Sequence, residues 1–156
     1  MSADPQDFVG IPFRMGDRDC LGLTRRYFKA AFSIDITDYA RPVDWESSTI
    51  DLIRACHERE GFDMITDWRP KDLRHGDLLC MAVGEGNANH LAIYLGDGTI
   101  LHHLTNRLSS IDPLRDFWRS LTCYVLRHPD VPHTPPDLAD TDIGSLLRAR
   151  YHPAAD

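Results

Sequence analysis

Two hydrophobic periodicities divide this chain. Beginning at Cys20, apolar side chains recur three and four positions apart. Cys20, Leu23, Tyr27 and Ala31 form one stripe, flanked by Phe28 and Phe32, with Arg25, Arg26 and Lys29 on the other side. That spacing predicts an amphipathic helix with one buried face. Asp19 stands just before it and can accept hydrogen bonds from the first free amides, so Cys20 is expected as the first helical residue. Residues 7–16 are expected as a loop, because Gly10, Pro12 and Gly16 interrupt the apolar Phe8, Val9, Ile11 and Phe13. A Pro-containing connection over 39–44 leads to a second predicted helix, 48–60. Ser48 and Asp51 make its cap-like start, Gly61 its stop, and Ile50, Ile53 and Cys56 its narrow apolar face.

The second half changes to strands. A turn-rich lead-in over 68–77 precedes a strand at 78–83 and a loop at 84–87. A hairpin over 90–104 follows, with Asp97-Gly98 at its tip. A strand at 108–111, a short helix at 113–121 and a strand at 122–127 complete the pattern. Helices first and antiparallel strands afterwards predict an α+β domain. Residues 128–137 are Pro-rich and read as an extended linker, and 140–151 can form a helix with Ile143, Leu146 and Leu147 on one face. The expected organisation is one domain over 1–128 and a linker with a short docking helix over 129–156.

Composition narrows the function classes. The chain has 156 residues, 42% of them hydrophobic and 26% charged, enough for one packed core. Its formal charge of −7, with no basic patch, argues against a nucleic-acid partner. No apolar run approaches the roughly 18–20 residues of a membrane span. Residues 1–7 are acidic and lack the apolar core of a secretion signal, so cytoplasmic synthesis is expected. Cys20, Cys56, Cys80 and Cys123 are dispersed without a CxxC pair, which predicts no disulfide framework. Cys80, His90, His102 and His103 lack local ligand spacing, so no metal and no cofactor are expected.

The chemistry centres on Cys20. A helix N-terminus stabilises a thiolate through its partial positive charge and free amides, and the Cys20 amide itself can face an oxyanion. A lone cysteine there would be only a small core residue; a partner histidine changes that reading. On the hairpin, His90, Ala92 and Tyr94 share one face, while Leu91, Ile93 and Leu95 suit the core. The small Ala92 leaves room beside His90, the candidate proton acceptor, for a substrate or a second side chain. A two-residue turn at Asp97-Gly98 would bring His103 to the His90 face, whereas a three-residue loop, Gly96-Asp97-Gly98, would bring His102. Sequence spacing alone leaves both open.

These segments resemble the NlpC/P60 family of cell-wall peptidases. Asp19-Cys20-Leu21-Gly22-Leu23 is similar to the family's Asp-Cys-x-Gly-Leu motif, and His90-Leu91-Ala92-Ile93-Tyr94 to its His-x-Gly-Ile-Tyr strand. Thr99-Ile100-Leu101-His102 is similar to the strand with its third polar residue, twelve positions after the base. The resemblance covers about 8–128 and is nearest to short versions from the tail-assembly clusters of tailed phages and prophages. It implies a papain-like α+β cysteine peptidase fold and a Cys20–His90–His102 triad. Asp19, Phe13 and Asn89 are the substrate-contacting candidates beside the motifs. It also implies a substrate, the peptide stems of peptidoglycan cut between D-glutamate and the diamino acid, and other phage tail proteins as partners. The expected place of action is a virion tail meeting the periplasm or cell wall. The chain departs from the family in a shortened loop over 16–19, in Phe13 where a Tyr is common, and in Ala92 where Gly is common. The shortened loop and Phe13 suit an alternative, a tail-assembly structural protein with a vestigial site. Amidases and acyltransferases of the same architecture would use the same Cys20 and His90.

Overall fold

The computed structural model describes residues 3–42 and 51–133. Its first helix, α1 (Cys20–Phe32), starts where the sequence places it. Asp19 is extended, and its Oδ1 accepts the Gly22 amide at 2.8 Å. Gly22 is required by space: a Cβ there would lie 1.8 Å from the carbonyl oxygen of Asp17. At the far end Ser33 takes the left-handed conformation, φ 56°, and stops the helix. Leu23, Tyr27 and Phe28 are fully buried on its inner face. Each such side chain contributes on the order of 2 kcal/mol by leaving water.

Six antiparallel strands form one sheet: β1 (Asp63–Ile65), β2 (Leu78–Met81), β3 (His90–Tyr94), β4 (Thr99–His102), β5 (Ser110–Pro113) and β6 (Thr122–Arg127). Their order is β1-β6-β2-β3-β4-β5. Two short α-helices, α2 (Leu52–Cys56) and α3 (Asp116–Leu121), and 3-10 turns at Pro5–Phe8 and Pro70–Asp72 join the sheet in an α+β fold. Helix α1 packs on β3 and β4 at one face of the sheet, and its buried side chains share an apolar cluster with Leu78, Cys80, Leu91, Ile93 and Leu101. The other face carries a second apolar cluster, Leu79, Met81, Ala92, Tyr94, Ile100 and Val125, with Trp68 and Trp118 against it.

That second cluster decides between two expectations. The space beside Ala92 is taken by side chains, His102 standing opposite it, and Ala92 is wholly buried because the sheet is covered on both sides. The second helix is also shorter than 48–60. It runs for five residues after Asp51, whose Oδ1 takes the Arg54 amide at 2.9 Å and the Tyr124 hydroxyl at 2.9 Å. Residues 43–50 lie outside the described residues, as do the tail and docking helix expected beyond 133. Strand β1 was not anticipated; three residues are too few to show a period. Strand β2 ends at Met81, two residues early, where the Asn89 side chain grips Val83 through both backbone groups at 2.9 Å. Strand β5 starts two residues late, and α3 begins only at Asp116, because Leu114 still donates to Gly98 at 2.8 Å. Strand β6 matches its predicted bounds.

Candidate active site

The segment before Cys20 is held from two directions. Gly10 donates to the Ser109 carbonyl at 2.8 Å, Ser109 donates to Ile11 at 3.0 Å, and the Ser109 hydroxyl reaches the Phe8 carbonyl at 2.6 Å. The shortened loop then closes on itself through Arg14 and Arg18, which exchange backbone hydrogen bonds of 2.9 and 2.8 Å around Gly16, φ +86°. Asp19 ties loop to helix. Its carboxylate accepts the Gly16 and Gly22 amides and both Nε and Nη2 of Arg41, at 2.8 to 3.0 Å. Burial would raise the Asp19 pKa, but Arg41 and the two amides outweigh it and hold the carboxyl below its ordinary value. Its oxygens are thus engaged by the protein itself.

Register settles which histidine joins His90. Ala92 stands opposite His102, and Tyr94 opposite Ile100. Leu95 donates to Thr99 at 3.0 Å, closing a three-residue loop in which Gly96 and Gly98 have φ of +89° and +82°. Such angles are accessible to glycine at little cost. His102 therefore shares the His90 face, and His90 Nε2 lies 3.0 Å from His102 Nδ1. The far nitrogen of His102, Nε2, lies 2.6 Å from Asp112 Oδ2 on β5, which also accepts the Ser110 hydroxyl at 2.8 Å. Trp118 stands perpendicular to the His102 ring, with centroids 4.8 Å apart.

Cys20, His90, Asp19, Phe13, Asn89 and His103 line one cleft of about 270 Å³, so all the candidate residues but His102 open onto it. His102 sits behind His90, wholly buried. His103, just past β4, donates from Nε2 to the Arg107 carbonyl at 3.0 Å and packs against the edge of Phe13. Burial pushes the Cys20 thiol up to about 12, against the Leu91 and Leu21 amides and the Arg41 charge, which favour the thiolate; the Asp19 charge adds to the rise. Burial, with help from His102 and His103, pushes His90 down to about 3. At neutral pH the resting pair is therefore a neutral thiol and a neutral imidazole. Asp112, Trp118 and Arg41 were not found by sequence reasoning. The alternation of Ser110 and Asp112 was the available signal for the first, but Asp112-Pro113 also reads as a turn. Among the described residues no cluster of histidine, cysteine and carboxylate is arranged to hold a metal ion, and no helix is long and apolar enough to cross a membrane.

A thiol at the first residue of a helix packed on an antiparallel sheet, with hydrogen-bonded imidazoles on adjoining strands, is a papain-like arrangement. The NlpC/P60 family profile matches residues 10–127, and the chain belongs to that family. Over 124 residues it is 36% identical to the tail tip assembly protein K of Escherichia phage N15, covering 77% of this chain and 49% of that protein. Over 120 residues it is 32% identical to the tail tip assembly protein K of Escherichia phage lambda, covering 77% and 58%. The chain thus spans about half the length of these relatives. A crystal structure of an NlpC/P60 family protein from Bacillus cereus ATCC 10987 superimposes with a TM-score of 0.52 at 22% identity, over 82% of this chain and 38% of that one. That likeness shows the fold.

Proposed function

We propose that this domain is a cysteine endopeptidase that hydrolyses peptidoglycan stem peptides at the bond between D-glutamate and the diamino acid. The supporting observation is that Cys20 and His90 share one cleft while His102 holds the far nitrogen of His90. Cys20 Sγ attacks the scissile carbonyl as its proton passes to His90 Nδ1, the ring nitrogen that His102 does not engage. Because both groups are neutral at rest, proton transfer accompanies attack rather than preceding it. The Cys20 amide, free at the helix start, faces the developing oxyanion. His90 then protonates the leaving amine, and water hydrolyses the thioester to a carboxylate with return of the proton to Sγ. Phe13 and Asn89 are the walls that the stem peptide touches, and Asp19 positions Cys20 through the helix cap.

The similarity to tail tip assembly proteins supports a setting for this chemistry. The domain is made in the host cytoplasm, joins other tail proteins in a phage or prophage virion, and meets peptidoglycan in the periplasm or cell wall. The same similarity, together with a thiol pushed up to about 12, supports a second reading in which the domain serves tail assembly and its site is weak. Diaminopimelate-type peptidoglycan incubated with the protein and with Cys20→Ala, then analysed by mass spectrometry, separates them. Stem fragments ending in D-glutamate with the intact protein only support the peptidase. No fragments from the folded protein favour the assembly role.

A further inference from the structure

The hydrogen bonds beyond His102 have a direction. Burial opposes charge on Asp112, but the His102 N–H and the Ser110 hydroxyl outweigh it and hold the carboxyl below its ordinary value, so Asp112 is an ionised acceptor at neutral pH. An acceptor 2.6 Å from His102 Nε2 requires the proton on that nitrogen. His102 is itself neutral, since burial depresses its pKa despite Asp112, and its Nδ1 therefore carries a lone pair. The proton in the 3.0 Å contact between the rings must then belong to His90 Nε2. That leaves His90 Nδ1 unprotonated, the form a general base needs. Trp118, perpendicular to His102, helps keep the ring at 0% exposure, so no solvent donor competes at its nitrogens.

We propose that Asp112 is a positioning residue: it fixes the tautomer of His102 and, through it, that of His90, so that Cys20, His90, His102 and Asp112 act as a four-member relay shielded by Trp118. This rests on the reading of Cys20 as the nucleophile. Sequence motifs end at His102, but the chain of fixed protons ends one strand further out. The Asp112 side chain, 39% exposed on β5, touches neither cleft nor substrate and acts only through the two rings.

Side-chain ¹⁵N spectra of the full chain at neutral pH read the tautomers directly. His90 and His102 are both expected as Nε2–H forms; an Nδ1–H form of either overturns the relay. Alkylation of Cys20 by iodoacetamide, mapped by peptide mass spectrometry, reads its activation without any assumption about substrate. In Asp112→Ala the alkylation rate and kcat should fall about 10- to 100-fold, with KM changed by less than about twofold. Ser110→Ala, which keeps the carboxylate but removes its hydroxyl donor, should show a smaller loss in the same direction. If Asp112→Ala does not fold by circular dichroism, Ser110→Ala and the wild-type spectra decide. A folded Asp112→Ala that alkylates at the wild-type rate refutes the proposal. Slowed alkylation in a protein that cuts no peptidoglycan supports the relay and removes only the proposed substrate.

Discussion

Substituting Gly22 with alanine should destabilise this protein, although helix propensity alone says the opposite. Alanine is about 1 kcal/mol better than glycine in a helix interior. Here, however, the new Cβ would sit 1.8 Å from the Asp17 carbonyl oxygen and 2.8 Å from its carbon, both backbone atoms that cannot rotate aside. It would also come within 3.2 Å of Asp19 Oδ1, the oxygen that caps the Gly22 amide. Relief requires the 16–19 loop to move by more than an ångström. Overpacking of this kind costs about 1–3 kcal/mol, and losing the cap about 1 kcal/mol more. After the propensity gain, the net loss is about 2 kcal/mol, or about 4–8 °C in Tm for a chain of this size. Cys20 lies inside the displaced turn, so hydrolysis should fall further than stability, by up to about 100-fold for a 1 Å misplacement. Thermal unfolding followed by circular dichroism, with activity measured well below Tm, tests both parts. A Tm equal to or above the parent's would refute the steric reasoning.

Acid should destabilise the fold well above the carboxylate range. His90 has a folded pKa of about 3 against 6.5 in the unfolded chain, so its contribution is complete above pH 6.5 and is lost as pH falls towards 3. At pH 5 the loss is on the order of 2 kcal/mol, and the depressed His102 and His103 act in the same direction. Urea unfolding at pH 7 and pH 5 measures it, and His90→Gln should flatten the difference; an unchanged slope would contradict the assignment. Arg41→Ala should cost about 3 kcal/mol, the low end for breaking a buried pair, because Asp19 retains its two amide donors. Urea midpoints check that figure, and a loss below about 1 kcal/mol would mean that the pair is solvated.

Much of the geometry of the candidate site was legible because it is local. Asp19 before Cys20 reads as a cap, and the cap is there at 2.8 Å. The histidine alternatives reduced to a loop length, and the two positive-φ glycines flanking Asp97 supply the three-residue loop that selects His102. What escaped notice was non-local. Period-2 alternation shows that Ala92 and Tyr94 share a face with His90 but not that Trp68 and Trp118 would cover it. Asp112 becomes part of the site only through the pairing of β4 with β5, which places Ser110 opposite His102. Arg41 reaches Asp19 from a Pro-flanked connection with no periodic signal of its own. The end of α2 falls earlier than Gly61 because residues 57–61 run on as turns, with Glu60 donating to Cys56 at 3.3 Å and Gly61 to Glu58 at 3.0 Å, and Gly61, φ +83°, ends those turns rather than the helix itself.

In the function proposed, Cys20 forms a covalent acyl-enzyme with a peptidoglycan stem. The most direct test is acid quenching of the protein with a purified diaminopimelate-containing stem peptide, followed by peptide-mapped mass spectrometry. A γ-D-glutamyl acyl adduct on the Cys20 peptide, absent in Cys20→Ala, is the expected result. Cleavage of the stem by Cys20→Ala, or turnover by the intact protein with no adduct at Cys20 at any quench time, would contradict it.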